Sequence, residues 1–286
     1  MFMTLRPMHD HPTWAPEFKN FHNIIYTPID LPEPPEINWT VFNEWATRTH
    51  QEHMALADQR VTLPDGRSRR TLYSIWKDAV GEYPWLTSHA IKEHTSENEN
   101  PWVNNFDKLF PELIEYLQLF PFFKLQSVNF LRQIPHVPVS LHTDPDNWLG
   151  FRFYILNTVN KDALYFRKVK KEYFNGRRLP TYRLDENLEP IKSDITLNDI
   201  CEPERAYPDQ KNSGRYPWAL TSSLAAHGVD SFDADQERIT CVVTGKTVYD
   251  QPGVIAGYKI KETLDLLERS TEKFKDKQIR YERKSN

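Results

Sequence analysis

Apolar residues in the first part of the chain recur every three or four positions, which is the spacing of an amphipathic helix. On this basis helices are predicted over three segments, residues 38 to 56, 71 to 80 and 106 to 117. The first would place Trp39, Phe42 and Trp45 on one side, and Pro111 would stand in a first helical turn within the third. Residues 1 to 37 contain many prolines and are expected to be extended or irregular.

From about residue 122 the chain is rich in β-forming residues that lack helical spacing, and residues 150 to 158 alternate as they do in strands. Strands are predicted over six segments, residues 122 to 134, 150 to 158, 163 to 169, 181 to 184, 218 to 227 and 238 to 244. Within the second segment, Phe151 and Phe153 would share one face, and Arg152 and Tyr154 the other. Because residues 175 and 176 are Asn-Gly, a strong turn signal, the third and fourth segments are predicted to form a hairpin.

A series of many short strands is typical of a jelly roll or a related barrel. Residues 260 to 277 are predicted to form a charged amphipathic helix outside the sheet, with Leu264, Leu267 and Phe274 inward. We therefore expect a mainly β protein with helices. Its expected parts are an N-terminal extended and helical layer, a barrel core and a C-terminal helix, over residues 1 to 121, 122 to 259 and 260 to 286.

Composition and charge narrow the classes of protein to consider. The 286 residues are 39% hydrophobic and 13% aromatic, which is ample material for a buried core. A formal net charge of -4 argues against a nucleic-acid partner. Two cysteines, Cys201 and Cys241, do not indicate a disulfide framework and favour the cytoplasm. No signal-peptide pattern opens the sequence, and no stretch of about 18 apolar residues predicts a membrane span.

Three residues of the predicted barrel have side chains that hold a metal ion in non-haem iron enzymes. His142 and Asp144 are two positions apart, so on a strand both would point to the same side of the sheet. His227 would complete the set from another strand. Two histidines and a carboxylate on one face of an iron ion leave other positions open for reactants. The His-x-Asp match is weak by itself, because the chain has ten histidines.

Arg238 opens the apolar run of residues 239 to 243, where a buried charge should have a partner. A planar guanidinium is a natural bidentate partner for the free carboxylate of 2-oxoglutarate, whose other end chelates the metal. Arg152 lies in a similar apolar run and is a candidate for a second contact. The alternatives for Arg238 are a surface arginine at a strand end, or an ion pair with Asp233, Asp235 or Glu237.

Residues 139 to 156, 226 to 231 and 237 to 243, which contain these motifs, resemble the aspartyl/asparaginyl β-hydroxylase-like branch of the 2-oxoglutarate oxygenases. The resemblance covers about residues 122 to 245 and is most specific at the metal and arginine positions. It implies a double-stranded β-helix of the jelly-roll or cupin-like type, with Fe(II), 2-oxoglutarate and O2 as cofactor and co-substrates. The best-known members lack the carboxylate ligand, whereas Asp144 is present here.

Carried over position by position, the resemblance implies two sets of site residues. The implied iron ligands are His142, Asp144 and His227, and the implied 2-oxoglutarate ligands are Arg238, Arg152 and Tyr154. Three further residues near these motifs are candidate substrate contacts, Asn147, Trp148 and Trp218. Core packing is the alternative role for each tryptophan.

The expected function is a cytoplasmic dioxygenase that hydroxylates an unactivated C–H bond of an amino acid or of a peptide or protein side chain. Residues 160 to 216 match nothing in the family, so they do not identify the substrate. Two other functions stay open. One is a barrel protein that binds a metal without oxidation, and the other is an isomerase-type metal enzyme in which Arg238 holds a sugar acid.

Overall fold

The fold is seen in a computed structural model that describes most of the predicted barrel and of its flanking helices. The described residues are 16–21, 23–57, 61–62, 68–69, 85–91, 100–133, 135–142, 150–154, 163–170, 183–184, 190–191, 197–209, 215–220, 226–232, 238–246, 251–255 and 257–280.

Short strands dominate this described part of the chain. In chain order they are β1 (Ile24–Pro28), β2 (Val61–Thr62), β3 (Ser68–Arg69), β4 (Trp85–His89), β5 (Leu125–Gln133), β6 (Val139–His142), β7 (Gly150–Tyr154), β8 (Leu164–Arg167), β9 (Arg183–Leu184), β10 (Pro190–Ile191), β11 (Trp218–Leu220), β12 (Ala226–Val229), β13 (Arg238–Gly245), β14 (Val254–Ile255), β15 (Tyr258–Lys259) and β16 (Ile279–Arg280). The helices are α1 (Trp39–Ala57), α2 (Phe106–Leu109), α3 (Pro111–Leu117), α4 (Leu197–Ile200) and α5 (Ile260–Lys273), with 3-10 turns over Pro16–Phe21, Val103–Asn105 and Lys275–Lys277.

Two sheets share the barrel strands alternately. The larger sheet has the order β16-β1-β11-β7-β13-β5-β4, and the smaller sheet has the order β6-β12-β8. From β5 to β8, and again from β11 to β13, each successive strand belongs to the other sheet. The paired strands of both sheets are antiparallel. This winding between two antiparallel sheets is that of a jelly roll, or double-stranded β-helix, and it confirms the predicted fold class.

One face of the larger sheet gathers the polar residues that the sequence singled out. Trp218 of β11 lies opposite Arg152 of β7, and Tyr154 of β7 lies opposite Thr240 of β13. Arg238 is two positions before Thr240, so its side chain is on the same face. The predicted alternation of β7 therefore brings both arginines to one side of the sheet.

This polar face looks towards the smaller sheet. His142 of β6 and Phe166 of β8 both lie opposite His227 of β12, so the three side chains share one face. Tyr26 of β1 lies opposite Leu220, two residues after Trp218 and therefore on the polar face. The rings of Tyr26 and Phe166 are 5.6 Å apart between centroids, which places the two faces against each other.

The other face of the larger sheet is covered by helices. Phe130 of β5 packs against Phe42 and Trp45 of α1, with ring centroids 5.1 and 5.5 Å apart. Phe153 of β7 packs against Tyr116 of α3 at 5.3 Å. All five side chains are buried, and aromatic side chains bury about 150–250 Å² each. This aromatic layer supplies much of the apolar core.

Helix α1 matches its prediction, whereas the helix predicted over 106 to 117 is interrupted. It ends at Leu109 and begins again at Pro111, with Phe110 between them at φ -134° and ψ 58°. The residue before a proline is driven away from the helical conformation, and Pro111 begins α3 as predicted. Leu109 is 44% exposed, because the interruption turns it out of the apolar face that the spacing predicted.

The predicted hairpin between residues 163–169 and 181–184 is wrong. Strand β8 pairs with β12, and β9 pairs with β10. A local turn signal predicts that the chain reverses, but it does not decide which strand takes the adjacent position. Strand β8 is instead largely buried beside the strand that contains His227. The Asn175-Gly176 turn itself lies outside the described residues.

Other segments differ from their predictions in extent. The segment 218 to 227 contributes to two strands in different sheets, β11 and β12. Residues 24–28, expected to be irregular, form the buried strand β1, and both β1 and β4 bond to the larger sheet across the predicted boundary at residue 121. Helix α5 ends at Lys273, and of its predicted inward residues Leu267 and Phe274 are buried and Leu264 is half-buried.

Two further sequence predictions concern a short helix and the absence of a membrane span. The helix predicted over residues 71 to 80 lies outside the described residues. Within the part of the chain that the structure describes, no helix has both the length and the apolar character needed to cross a membrane.

Candidate metal centre

His142 and His227 lie side by side on the inner face of the smaller sheet. Strands β6 and β12 place them directly opposite each other, with ring centroids 4.4 Å apart and ring planes at 49°. Two imidazoles that bind one metal ion at about 2.1 Å in neighbouring octahedral directions have centroids about 4.5 Å apart. The observed spacing therefore fits two ligands of a single ion.

A backbone contact orients the ring of His142. Its Nδ1 lies 2.8 Å from the carbonyl oxygen of Ser140. Because a carbonyl oxygen only accepts, Nδ1 is the atom that donates, and the lone pair of the neutral ring is then on Nε2. Hydrogen bonds of this kind fix the tautomer and direction of metal-binding histidines. His227 is 5% exposed and packs beside Phe166, with ring centroids 6.0 Å apart.

The third predicted ligand, Asp144, lies outside the described residues, as do the candidate substrate contacts Asn147 and Trp148. Among the residues that are described, no three His, Cys, Asp or Glu side chains are grouped so as to hold a metal ion. The structure thus brings together two of the three predicted ligands, and the role of all three in binding a metal stays a prediction.

Arg238 is buried in the polar face of the larger sheet and is held by Tyr154. Its Nη2 donates a hydrogen bond of 2.7 Å to the phenol oxygen of Tyr154, 84 residues away in sequence. Its Cζ lies 4.9 Å from the centroid of the same ring. At 6% exposure, Arg238 is not the surface arginine that the sequence left open. Tyr154 thereby fixes the direction of the guanidinium.

No carboxylate among the described residues forms an ion pair with Arg238. Its Nε also has no hydrogen-bond partner there. The acidic residues that the sequence offered as partners, Asp233, Asp235 and Glu237, lie outside the described residues. Burying a cation without a counter-charge is costly, which makes this guanidinium a candidate for binding an anion.

Further buried polar atoms accompany Arg238. Trp218 Nε1, Thr240 Oγ1 and Gln133 Oε1 have no hydrogen-bond partner among the described residues. Gln133 lies directly opposite Arg238 on the neighbouring strand, and Thr240 follows Arg238 on the same face. Native proteins pair nearly all buried polar atoms, so these atoms are candidates for binding a polar ligand. Sequence reasoning missed Thr240 and Gln133; the alternation of β13 after Arg238 could have found Thr240.

Arg152 is 8% exposed and lies on the same face, opposite Trp218 on one side and Val242 on the other. Burial raises the pKa of Tyr258 in β15 above its ordinary value, and the positive charge of Arg152 opposes part of that rise. Arg152 is therefore close enough to affect a phenol that lies outside the predicted site.

A concave feature lies elsewhere on the molecule. It is an open groove of about 670 Å³ between Phe123, the β14–β15 hairpin and the first turns of α5. None of the predicted site residues lines it. The candidate centre is consequently defined by buried polar groups inside the barrel and not by this surface groove.

Among known proteins, similarity to this chain is found only with solved structures. No protein family and no curated protein matches the chain. The α-ketoglutarate-dependent carbocyclase SnoK from nogalamycin biosynthesis is 11% identical, with 80% of this chain and 82% of that one covered and a TM-score of 0.36. HygX from Streptomyces hygroscopicus, solved with nickel and 2-oxoglutarate, is 10% identical, with 80% and 85% covered and a TM-score of 0.33.

EvdMO1 is 13% identical with a TM-score of 0.33, and the match covers 80% of this chain and 49% of that one. The chain therefore spans about half the length of this structure. At such identities and TM-scores the likeness assigns neither a reaction nor a ligand to this chain. The jelly-roll fold rests instead on its own strand order.

Proposed function

We propose that this protein is a dioxygenase that uses Fe(II), 2-oxoglutarate and O2. The observation that supports the proposal most strongly is the position of Arg238. A buried guanidinium with no carboxylate partner among the described residues lies on the face that looks towards two adjacent imidazoles. A molecule that chelates a metal at one end and has a free carboxylate at the other would bind both the metal held by the imidazoles and the guanidinium.

In this proposal His142, His227 and Asp144 hold the iron ion. The spacing of the two rings supports the first two, and Asp144 follows His142 by two positions, as a same-face ligand on a strand would. The Ser140 carbonyl keeps Nε2 of His142 available as the ligating atom. Bound iron with 2-oxoglutarate and O2 supplies an oxidant strong enough for an unactivated C–H bond.

The larger sheet would hold the co-substrate. Arg238 binds its terminal carboxylate through the planar guanidinium, and Tyr154 keeps that guanidinium in position. Arg152, which lies on the same face, is proposed as a second cationic contact. Tyr26 and Phe166, which pack between the sheets, exclude water from the reacting groups.

We propose an amino acid, or a side chain of a peptide or protein, as the substrate and hydroxylation as the outcome. The proposed contacts are Asn147 and Trp148, which follow the His142 motif. The relation to the aspartyl/asparaginyl β-hydroxylase-like branch belongs to the same proposal and is supported by the residues around His142, His227 and Arg238. The cysteine usage and net charge support a cytoplasmic protein without a nucleic-acid partner.

The test is anaerobic addition of Fe(II) and 2-oxoglutarate to the purified chain, followed by exposure to air. We expect a weak visible charge-transfer band before air is admitted, and succinate release afterwards. His142→Ala and Asp144→Ala should abolish both. Succinate release at the wild-type rate by either variant would contradict the proposed ligand set.

The same experiment separates the alternatives. A protein that binds the metal without oxidation would retain Fe(II) and release no succinate. An isomerase-type enzyme would bind a sugar acid and show no band that depends on 2-oxoglutarate. A mass-spectrometric screen of amino acids and peptides for the gain of one oxygen atom would then identify the substrate.

A further inference from the structure

The indole of Trp218 combines deep burial with an unused hydrogen-bond donor. The residue is 2% exposed, and its Nε1 has no hydrogen-bond partner among the described residues. An indole N–H can only donate, and buried indoles usually find an acceptor. Trp218 therefore offers a donor whose acceptor must come from outside the described part of the chain.

Trp45 shows how the same fold treats a tryptophan that serves packing. It is 3% exposed, which is as deeply buried as Trp218, but its Nε1 donates to the carbonyl oxygen of Val103 at 3.1 Å. Packing alone therefore does not require an unpaired indole N–H in this protein. The difference between the two tryptophans points to a ligand near Trp218.

The position of Trp218 identifies the kind of ligand. Its ring lies 4.5 Å from the ring of Tyr154, and Tyr154 in turn accepts a hydrogen bond from Arg238. The three side chains are thus neighbours on one face, contributed by β11, β7 and β13. Two donors near this phenol, Trp218 Nε1 and Arg238 Nε, lack acceptors among the described residues.

Two donors without acceptors, one of them on a cation, call for an anionic acceptor with several lone pairs. A carboxylate offers two oxygens with about four lone-pair positions. We propose that the indole N–H of Trp218, together with Arg238, binds the terminal carboxylate of 2-oxoglutarate. This inference rests on the proposed function. It places Trp218 at the co-substrate instead of at the substrate.

The first test compares two keto acids that differ only in the group Trp218 would bind. Anaerobic calorimetric titration of the Fe(II)-loaded chain would use 2-oxoglutarate and 2-oxopentanoate, which lacks the terminal carboxylate. Trp218→Phe should weaken 2-oxoglutarate about tenfold or more, since the lost hydrogen bond is to a charged group, and should leave 2-oxopentanoate unchanged. Trp45→Phe, the matched control, should change neither affinity.

The second test observes the indole directly. In the Zn(II)-loaded, 15N-labelled chain, 2-oxoglutarate should move one indole N–H resonance downfield, and 2-oxopentanoate should not. That resonance is assigned by its absence from the spectrum of Trp218→Phe, or of Trp218→Tyr should the first variant not fold. A shift that is the same with both keto acids, or no shift of this resonance, would overturn the inference.

Failure of the inference is distinguishable from failure of the proposed function. If the wild-type protein binds neither keto acid when loaded with metal, the proposed function fails and the inference fails with it. If wild type binds 2-oxoglutarate and Arg238→Ala does not, the function stands. In that case Trp218→Phe with wild-type affinity, or with an equal loss for both keto acids, overturns the role of Trp218 alone.

Discussion

His142 and His227 lie opposite each other on neighbouring antiparallel strands, with 4.4 Å between their ring centroids. The register of β6 and β12 sets this spacing, and the Ser140 carbonyl sets the direction of one ring. Because the backbone fixes both, the two imidazoles would need no rearrangement to bind the proposed metal ion. The affinity of the centre should therefore depend on each imidazole and little on distant histidines.

We expect His142→Ala and His227→Ala each to weaken Fe(II) binding by about a hundredfold or more, since even residues behind the ligands contribute ten- to hundredfold. Anaerobic titration with Fe(II) measures this. The control is His50→Ala, because His50 lies on α1 and its Nδ1 contacts the carbonyl oxygen of Thr87. Equal losses in all three variants would mean that the pair is not the metal site.

Arg238→Ala should weaken 2-oxoglutarate binding about a hundredfold, and Tyr154→Phe should weaken it about tenfold. The first removes the cation, whereas the second removes only the phenol that orients it. Fe(II) affinity should change little in either variant, because neither residue is a proposed ligand. Isothermal titration of each variant with metal and then with 2-oxoglutarate measures both.

The matched control for this pair is Arg132→Ala. Arg132 is also buried, but it lies on the opposite face of the sheet and donates to Thr47 and Asn43 of α1. Its loss should lower the free energy of unfolding without changing 2-oxoglutarate affinity. A larger effect of Arg132→Ala than of Arg238→Ala on that affinity would contradict the assignment.

Gly228→Ala should disturb the metal site through the backbone. A Cβ at this position would lie 2.5 Å from the hydroxyl oxygen of Tyr165 and 2.7 Å from the carbonyl oxygen of Val139, on the two strands that flank β12. We expect a loss of about 1–3 kcal/mol in the free energy of unfolding, together with weaker Fe(II) binding. Urea denaturation with and without Fe(II) measures the two effects together.

Tyr165→Phe in the Gly228→Ala background should recover only part of this loss, since the ring carbon Cζ at 2.6 Å and the Val139 carbonyl oxygen remain in the way. Gly253→Ala is the control. No atom lies within 4 Å of a Cβ at Gly253, so only its positive φ of 76° is unfavourable to alanine. It should cost about 1 kcal/mol and leave Fe(II) binding unchanged. A Gly253→Ala variant that lost the metal would argue against the local explanation.

The stability of the protein should fall at alkaline pH partly through Cys201. Burial raises the pKa of this thiol to about 11, whereas an unfolded cysteine titrates near about 8.5. As the pH rises from 8.5 towards 11, the unfolded thiol ionises while the native thiol keeps its proton. The contribution of this group to stability is therefore complete below about pH 8.5 and is lost as the pH approaches 11.

Urea denaturation of wild type and Cys201→Ala between pH 8 and pH 11 checks this. Wild type should lose stability more steeply than the variant, since Cys241, Tyr116 and Tyr258, whose pKa values burial also raises, are common to both. Parallel pH profiles for the two proteins would show that the ionisation of Cys201 makes no contribution.

Much of the local structure followed from residue spacing. The alternation around Arg152 and Tyr154 is observed in β7, and the apolar spacing of residues 38 to 56 is observed in α1. The position of Pro111 at the start of a helix was also predictable, because its fixed φ suits the first turn. These patterns depend on neighbours within a few residues, so the sequence contains them directly.

The candidate site was predicted residue by residue but not as an arrangement. The sequence indicated His142, His227 and Arg238 by their chemistry, and it could not show that Tyr154 accepts a hydrogen bond from Arg238. It also gave no sign that Trp218 would be buried with an unpaired N–H while Trp45 would be paired. Contacts between distant segments depend on the order in which strands assemble.

The sequence by itself determined the alternation around Arg152 and Tyr154, the helix over residues 38 to 56, and which residues have metal-binding chemistry. Only the tertiary structure decided that β8 joins β12 and that the strands of His142 and His227 meet in register. The physical reason is that strand alternation is local, whereas the cost of closing a loop rises only slowly with its length. Many pairings are therefore open to the chain, and burial of both sheets against each other selects one.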